Sequence, residues 1–132
     1  MNSTFEFNLD RLAARHGQQI VNRTTGEGIN ANAKDVDNTV TKALGVLQEN
    51  GVYACVLYLK SRKSEENRRA NVITSEILNL LECLGFGRPS NGDDLAFISE
   101  EICNDLERIL LVKDTMEQML IYARYGAKAH GN

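Results

Sequence analysis

The chain has 132 residues, of which 42% are hydrophobic and 25% charged, and its formal net charge is -3. These values are typical of one globular domain and exclude a disordered chain, and a domain of this length buries enough surface to fold without disulfides or metals. The longest apolar run is too short to span a membrane and the N-terminus has neither a basic leader nor a secretory apolar core, so we expect a cytoplasmic protein with no membrane partner.

The first predicted helix lies near the N-terminus. Apolar residues recur at helical spacing from Leu9 to Ile20, and Asn8 stands where an N-cap residue is expected. His16 falls on the apolar face of this helix, so we interpret it as a histidine at the edge of the core. Residues 22–32 are rich in Thr, Gly and Asn and are predicted to form a loop.

Two further helices follow from the same periodicity. Residues 36–47 repeat the apolar spacing and are followed by Asn50-Gly51, a typical helix stop. Residues 73–84 form another apolar stripe, and Gly85 occupies the position of a left-handed C-terminal residue. Residues 85–94 hold three glycines and the only proline, so they are predicted to form a surface loop.

The last third of the chain is predicted to hold a short helix and a long one. Apolar residues within 95–102 suggest the short helix, and Asn104 with Glu107 three residues later resembles a capping box. The apolar positions then continue at steps of three and four residues as far as Gly126. A helix of about 20 residues is roughly 30 Å long and would form the long side of a bundle.

The stretch from Asn50 to Lys63, NGVYACVLYLKSRK, is the segment whose periodicity leaves two structures open. Its eight successive apolar residues fit a buried strand and a buried helix equally well. No other segment alternates apolar and polar residues, and a strand without a partner would leave its backbone hydrogen-bonding groups unpaired. We therefore predict a central buried helix over residues 52–62, apolar on nearly every side, with a basic end that matches the helix dipole.

Together these elements predict an all-α fold. We expect one compact single-domain bundle of about five to six helices over residues 1–132, with loops at residues 22–32 and 85–94. The two ends, residues 1–6 and 128–132, are expected to be frayed.

No arrangement of side chains in the sequence predicts catalysis. The adjacent acids at positions 93–94 and 100–101 are typical of solvated or capping residues. His16 and His130 lack a nearby nucleophile and an orienting acid. We predict that the chain is not an enzyme and has no small-molecule substrate, although an active site assembled from scattered residues stays open.

Metal and cofactor sites are not predicted either. The chain has three cysteines, an odd number, and they are widely spaced at Cys55, Cys83 and Cys103. Its two histidines lie near opposite ends of the sequence. No cluster has the spacing of zinc ligands or of a disulfide framework. We therefore expect no disulfide, no bound metal and no cofactor.

Charge is unevenly distributed along the chain. Residues 1–75 hold ten Lys or Arg against eight Asp or Glu, whereas residues 76–132 hold five against ten. Within the positive half, five cations fall in ten residues and form what we call the basic cluster: Lys60, Arg62, Lys63, Arg68 and Arg69. The basic cluster is either a solvated helix end, partly neutralised by Glu65 and Glu66, or a set of contacts to nucleic-acid phosphates. Phosphate contacts would make binding fall steeply with salt.

Two motifs carry a family resemblance. The first is a helix, an Asn-Gly-aliphatic joint and an apolar helix ending Leu-x-Leu-Lys-Ser, formed by Asn50, Gly51, Val52, Leu57, Leu59, Lys60 and Ser61. The second is an aliphatic ladder that ends in aromatic, basic and small residues, at Leu120, Tyr122, Arg124, Ala127 and Ala129. Over residues 36–62 and 105–129 the chain resembles the small helical subunit of type III-B (Cmr) CRISPR effector complexes.

The resemblance implies an all-helical protein without a catalytic site, whose copies stack as an inner filament beside the guide-RNA backbone subunits in antiviral defence. The implied partners are the other effector-complex subunits, further copies of the chain, and the backbones of guide RNA and target RNA, contacted weakly and without sequence preference. The basic cluster would make the RNA contacts. The charge asymmetry further suggests that the acidic second half faces the basic end of a neighbouring copy in a stack that does not close.

A second hypothesis needs no nucleic acid. A small helical adaptor or regulatory protein that self-associates through an apolar face and binds a protein partner would have the same composition and periodicity. In such a protein the basic cluster would be a solvated surface. Replacing its residues would then leave function unchanged.

Overall fold

The structure is a computed structural model that describes residues 2–131, with side chains from Leu9 onward. Six α-helices follow one another: α1 (Asn2–Thr25), α2 (Ala33–Asn50), α3 (Val52–Lys60), α4 (Ser64–Cys83), α5 (Asp94–Phe97) and α6 (Leu106–His130). A π-helical turn, Ile98–Ile102, extends α5. Residues 2–131 contain no strand, so the prediction of an all-α bundle is confirmed.

Helix α6 is the longest element, with 25 residues, and it packs against both α1 and α2. Near the start of α2, Asp37 lies 2.9 Å from Lys128 Nζ and 3.7 Å from Arg124 Nε, near the end of α6. Helices α2 and α6 therefore run antiparallel. Helix α4 packs against α1 and α3, which completes the bundle.

One hydrophobic core joins all the helices. Its largest fully buried side chains come from the π-helical turn and from every α-helix except α5: Ile20, Leu47, Leu59, Ile73, Ile77, Leu80, Leu81, Ile98, Ile102, Met116, Met119 and Leu120. The helical stripes that the periodicity predicts in α2, α4 and α6 supply most of this set. Burial of each such side chain contributes about 1.5–3 kcal/mol relative to exposure.

The segment that left strand and helix open is the helix α3, as predicted. Val52, Cys55 and Leu59 are buried against the neighbouring helices. Tyr53 and Leu57, however, are 40% and 48% exposed, so the expectation of an apolar helix covered on nearly every side is wrong for one face. The helix also ends at Lys60, two residues earlier than predicted.

The N-terminal helix is longer at both ends than its sequence pattern suggests. Helix α1 begins at Asn2, so Asn8 lies within the helix and is not its cap. At the other end the helix continues to Thr25, and the hydroxyls of Thr24 and Thr25 donate to backbone carbonyls one turn earlier. The predicted loop at residues 22–32 is therefore confined to residues 26–32.

Glycine ends two helices as predicted. Gly51 follows α2 with φ +98° and Gly85 follows α4 with φ +93°, a backbone conformation that side chains disfavour. The loop predicted at residues 85–94 lies between α4 and α5, which begins at Asp94.

The start of α6 differs from the prediction by one residue. Asp105, and not Asn104, is the N-cap, because its carboxylate accepts a hydrogen bond of 3.0 Å from the backbone N–H of Arg108. Residues 2–6 lie in α1 and residues 128–130 lie in α6, and the fraying of these ends stays a prediction. The terminal Met1 and Asn132 lie outside the described residues.

Candidate nucleic-acid interface

The basic cluster lies where α3 ends and α4 begins. Lys60 is the last residue of α3, Arg62 and Lys63 form the joint, and Arg68 and Arg69 stand in the second turn of α4. The joint is sharp because Ser64, the first residue of α4, has a positive φ of 59°. The fold thus brings the five cations to one end of the α3–α4 hairpin, but their side chains diverge.

Arg62 is held against α3. Its guanidinium carbon lies 4.1 Å from the centre of the Tyr58 ring, and its Nε donates to the Tyr58 carbonyl at 3.2 Å. Its Nη1 also lies 3.7 Å from a carboxylate oxygen of Glu66. Stacking and hydrogen bonding fix the plane of the guanidinium, and an arginine offers five N–H donors in total.

The side chains of Lys60 and Lys63 have different surroundings. Lys60 Nζ lies 2.6 Å from Asp94 Oδ2 at the start of α5, and this contact ties α3 to α5. Lys63 is exposed and forms no ion pair with any described residue. Of these two lysines, Lys63 is the one whose charge faces solvent without a carboxylate partner.

Arg68 and Arg69 are bound to neutral acceptors. Arg68 Nη2 donates to the carbonyl of Gly28 in the loop at residues 26–32, and Arg69 Nε donates to Thr39 Oγ1 in α2 at 2.9 Å. A neutral acceptor orients a guanidinium without cancelling its charge. Arg68 remains exposed, whereas Arg69 is half-buried.

The structure adds one cation that the sequence reasoning missed. Lys42, from α2, brings its Nζ to 3.9 Å from Glu66 Oε2. Glu66 thus lies between Lys42 and Arg62 and bridges α2 to the α3–α4 joint. The local sequence around Lys42 does not indicate that it lies beside the basic cluster, because that position depends on how α2 packs against the α3–α4 joint.

A second polar site is buried between α1 and α4. Glu76 is 1% exposed, and its two carboxylate oxygens lie 2.9 Å from His16 Nδ1 and 2.6 Å from Arg23 Nη1. Burial alone raises the pKa of the Glu76 carboxyl, but hydrogen bonds from His16, Arg23 and Asn79 outweigh it and hold that pKa below its usual value. Because Glu76 is therefore a carboxylate, His16 Nδ1 must carry the proton. Each carboxylate oxygen of Glu76 binds a side chain of α1, so the network joins α1 to α4.

His16 is accordingly in the core itself, and not at its edge as predicted. Its side chain is 2% exposed, and its Nε2 has no hydrogen-bond partner among the described residues. The sequence reasoning assigned no role to Glu76, since a charged residue on an α-helix is expected to face solvent.

Acidic residues of the second half line a cleft on the surface. A cleft of about 410 Å³ lies between the loop after α4 and the π-helical turn, and its rim carries Asp93, Glu100 and Glu101 against Arg88. Carboxylates repel phosphates, so this surface does not suit a nucleic-acid backbone. This acidic cleft adjoins the basic cluster, because Lys60 of that cluster pairs with Asp94, the residue after Asp93.

The three cysteines have different surroundings, since Cys55 is buried, Cys103 is half-buried and Cys83 is exposed. No group of three or more His, Cys, Asp or Glu residues among the described residues could hold a metal ion. Burial raises the pKa of the Cys55 thiol to about 12, so it stays protonated and packs as an apolar side chain. No helix within residues 2–131 has the length and apolar character needed to cross a membrane.

Comparisons of this chain with protein-family models, with curated proteins and with solved structures found no match.

Proposed function

We propose that this chain is a non-catalytic small subunit of an RNA-guided type III-B CRISPR effector ribonucleoprotein, in which the basic cluster contacts the phosphate backbone of guide or target RNA. Its partners would be the other effector subunits and further copies of the chain. The proposal rests on the sequence resemblance and on the surface at the α3–α4 joint.

The strongest support for the proposal is that two cations at the α3–α4 joint have no carboxylate partner among the described residues. Lys63 has no carboxylate partner among the described residues, and Arg68 binds only a neutral carbonyl. Both side chains are exposed. Because each retains its charge and N–H donors, both are available to phosphate oxygens, whereas Lys60 is already paired with Asp94.

The first experiment measures the affinity of the protein for single-stranded RNA at several salt concentrations. We expect weak binding at low salt and a linear fall of log K with log salt. Each phosphate contact that is lost should reduce that slope by about 0.7. The variant Lys63→Ala with Arg68→Ala should therefore bind more weakly and with a shallower slope.

The matched control replaces two exposed cations on other elements, Arg11 of α1 and Lys34 of α2. It changes the net charge by the same amount, so general electrostatic attraction falls equally in the two double variants. Equal losses in both, or no RNA binding at low salt, would contradict the assignment of the basic cluster.

The second experiment tests the assembly. The tagged protein is purified from its host under gentle salt, the accompanying proteins are identified and any RNA is sequenced. A large complex with short RNAs that share a repeat-derived end is the expected result. A free monomer or dimer without RNA would refute the effector-subunit proposal.

One observation favours the second hypothesis, a helical adaptor. Four large apolar side chains are exposed in two pairs, Tyr53 with Leu57 on α3 and Leu106 with Leu110 on α6, and such pairs are typical of protein contacts. The adaptor hypothesis predicts that substitutions in these pairs abolish partner binding. It also predicts that substitutions in the basic cluster have no effect.

A further inference from the structure

Two exposed apolar pairs stand out on the surface. Tyr53 and Leu57, on α3, are 40% and 48% exposed, and Leu106 and Leu110, on α6, are 73% and 54% exposed. Each pair is spaced by four residues, so its two side chains lie one turn apart on the same helix face. Each helix therefore presents a short apolar stripe to solvent.

The two stripes carry opposite charges at matching ends. After Leu57, α3 ends at Lys60, which pairs with Asp94 of its own chain, and Lys63 follows in the α3–α4 joint without an ion pair among the described residues. The stripe on α6 begins beside Asp105 and Glu107, which are both exposed.

If α3 is laid antiparallel on α6 of another copy, the apolar residues meet and the basic end of α3 faces the acidic start of α6.

Both stripes lie at the same end of the bundle. Asp37 contacts Arg124 and Lys128, which sets α2 antiparallel to α6. The C-terminal end of α2 therefore lies beside the N-terminal part of α6. Helix α3 starts there, directly after Gly51, and it contacts α6 and the π-helical turn.

We propose that this end of the molecule is a self-association surface, on which α3 of one copy packs antiparallel on α6 of a second copy. In this arrangement Leu57 meets Leu106 and Tyr53 meets Leu110. Lys63 then lies near Glu107 of the second copy. This inference concerns the free chain and does not depend on the proposed function.

The position of the stripes determines the symmetry. Two different surfaces at one end of a molecule can be exchanged reciprocally between two copies about a twofold axis, so that both copies bury both stripes. An open stack needs complementary surfaces on opposite sides. The structure therefore favours a closed dimer over the unlimited stacking that the charge asymmetry suggested.

The test is sedimentation velocity over a wide range of protein concentration. We expect the mass of a dimer at high concentration and that of a monomer on dilution. Leu57→Asp and Leu110→Asp should each weaken dimerisation roughly tenfold or more, because a carboxylate would be buried in an apolar contact. The matched control is Tyr125→Asp, since Tyr125 is 62% exposed on α6 but lies outside both stripes.

Charge reversal identifies the register. Lys63→Glu and Glu107→Lys should each weaken the dimer, and the chain with both changes should regain affinity because opposite charges face each other again. All these side chains are exposed, so circular dichroism should show folded helices in every variant. A monomer at every concentration, association that ignores the stripe variants, or oligomers that grow beyond the dimer would each overturn the proposal.

Discussion

At Gly17, α1 packs so closely against α6 that a side chain has no room, and replacing this residue with alanine tests the packing of the bundle. A Cβ at this position would stand 2.7 Å from the carbonyl oxygen of Met119 and 3.0 Å from Tyr122 Cβ. The nearest obstacle is backbone, which cannot rotate away as a flexible side chain would. An alanine therefore forces the two helices apart.

The size of the effect follows from this distance. Restoring an ordinary contact of 3.4 Å requires a shift of about 0.7 Å between α1 and α6. Gaps of this size weaken the dispersion contacts of neighbouring core residues, and overpacking of this kind costs about 1–3 kcal/mol. The better helix propensity of alanine returns about 1 kcal/mol. We expect Gly17→Ala to destabilise the protein by up to about 2 kcal/mol.

Thermal and urea unfolding, followed by circular dichroism, measure this change. The melting temperature should fall by up to about 7 °C for a domain of this size. Gly45→Ala is the matched control, because Gly45 also lies within a helix but a Cβ there meets nothing within 4 Å. That substitution should stabilise the protein by up to about 1 kcal/mol. If Gly17→Ala were as stabilising as Gly45→Ala, α1 and α6 would not pack as closely as described.

Two further substitutions test the polar contacts. Glu76→Gln should cost about 2–3 kcal/mol at neutral pH, because it weakens two charge-assisted hydrogen bonds, and Arg23 can regain part of the loss from solvent. Since the folded-state pKa of Glu76 lies below its unfolded value, its stabilisation is present above about pH 4.5 and lost as the pH falls through the folded pKa. The difference in unfolding free energy between Glu76→Gln and the unchanged protein should therefore shrink in acid, and a constant difference would contradict this assignment. Asp105→Ala should cost about 1 kcal/mol through loss of the α6 cap, whereas Asn104→Ala should cost almost nothing; urea unfolding separates the two, and a larger loss at Asn104 would restore the capping box that the sequence suggested.

The sequence alone determined the class of fold and the order of the helices. Apolar residues repeat every three or four positions in α2, α4 and α6, and glycines at 51 and 85 end two helices. These signals are local, because they arise from the geometry of one helix and from the conformation of one residue. The helical state of α3 could also be inferred, since a single strand would have lacked a partner.

Only the tertiary structure decided which charged residues face each other. Glu76 meets His16 across 60 residues of sequence and Lys42 reaches Glu66 from another helix, and neither contact follows from a local pattern. The basic cluster looked uniform in sequence, yet Lys60 pairs with an acid whereas Lys63 faces solvent. The physical reason is that spacing along one helix fixes which side a residue occupies, whereas its partner depends on how separate helices pack.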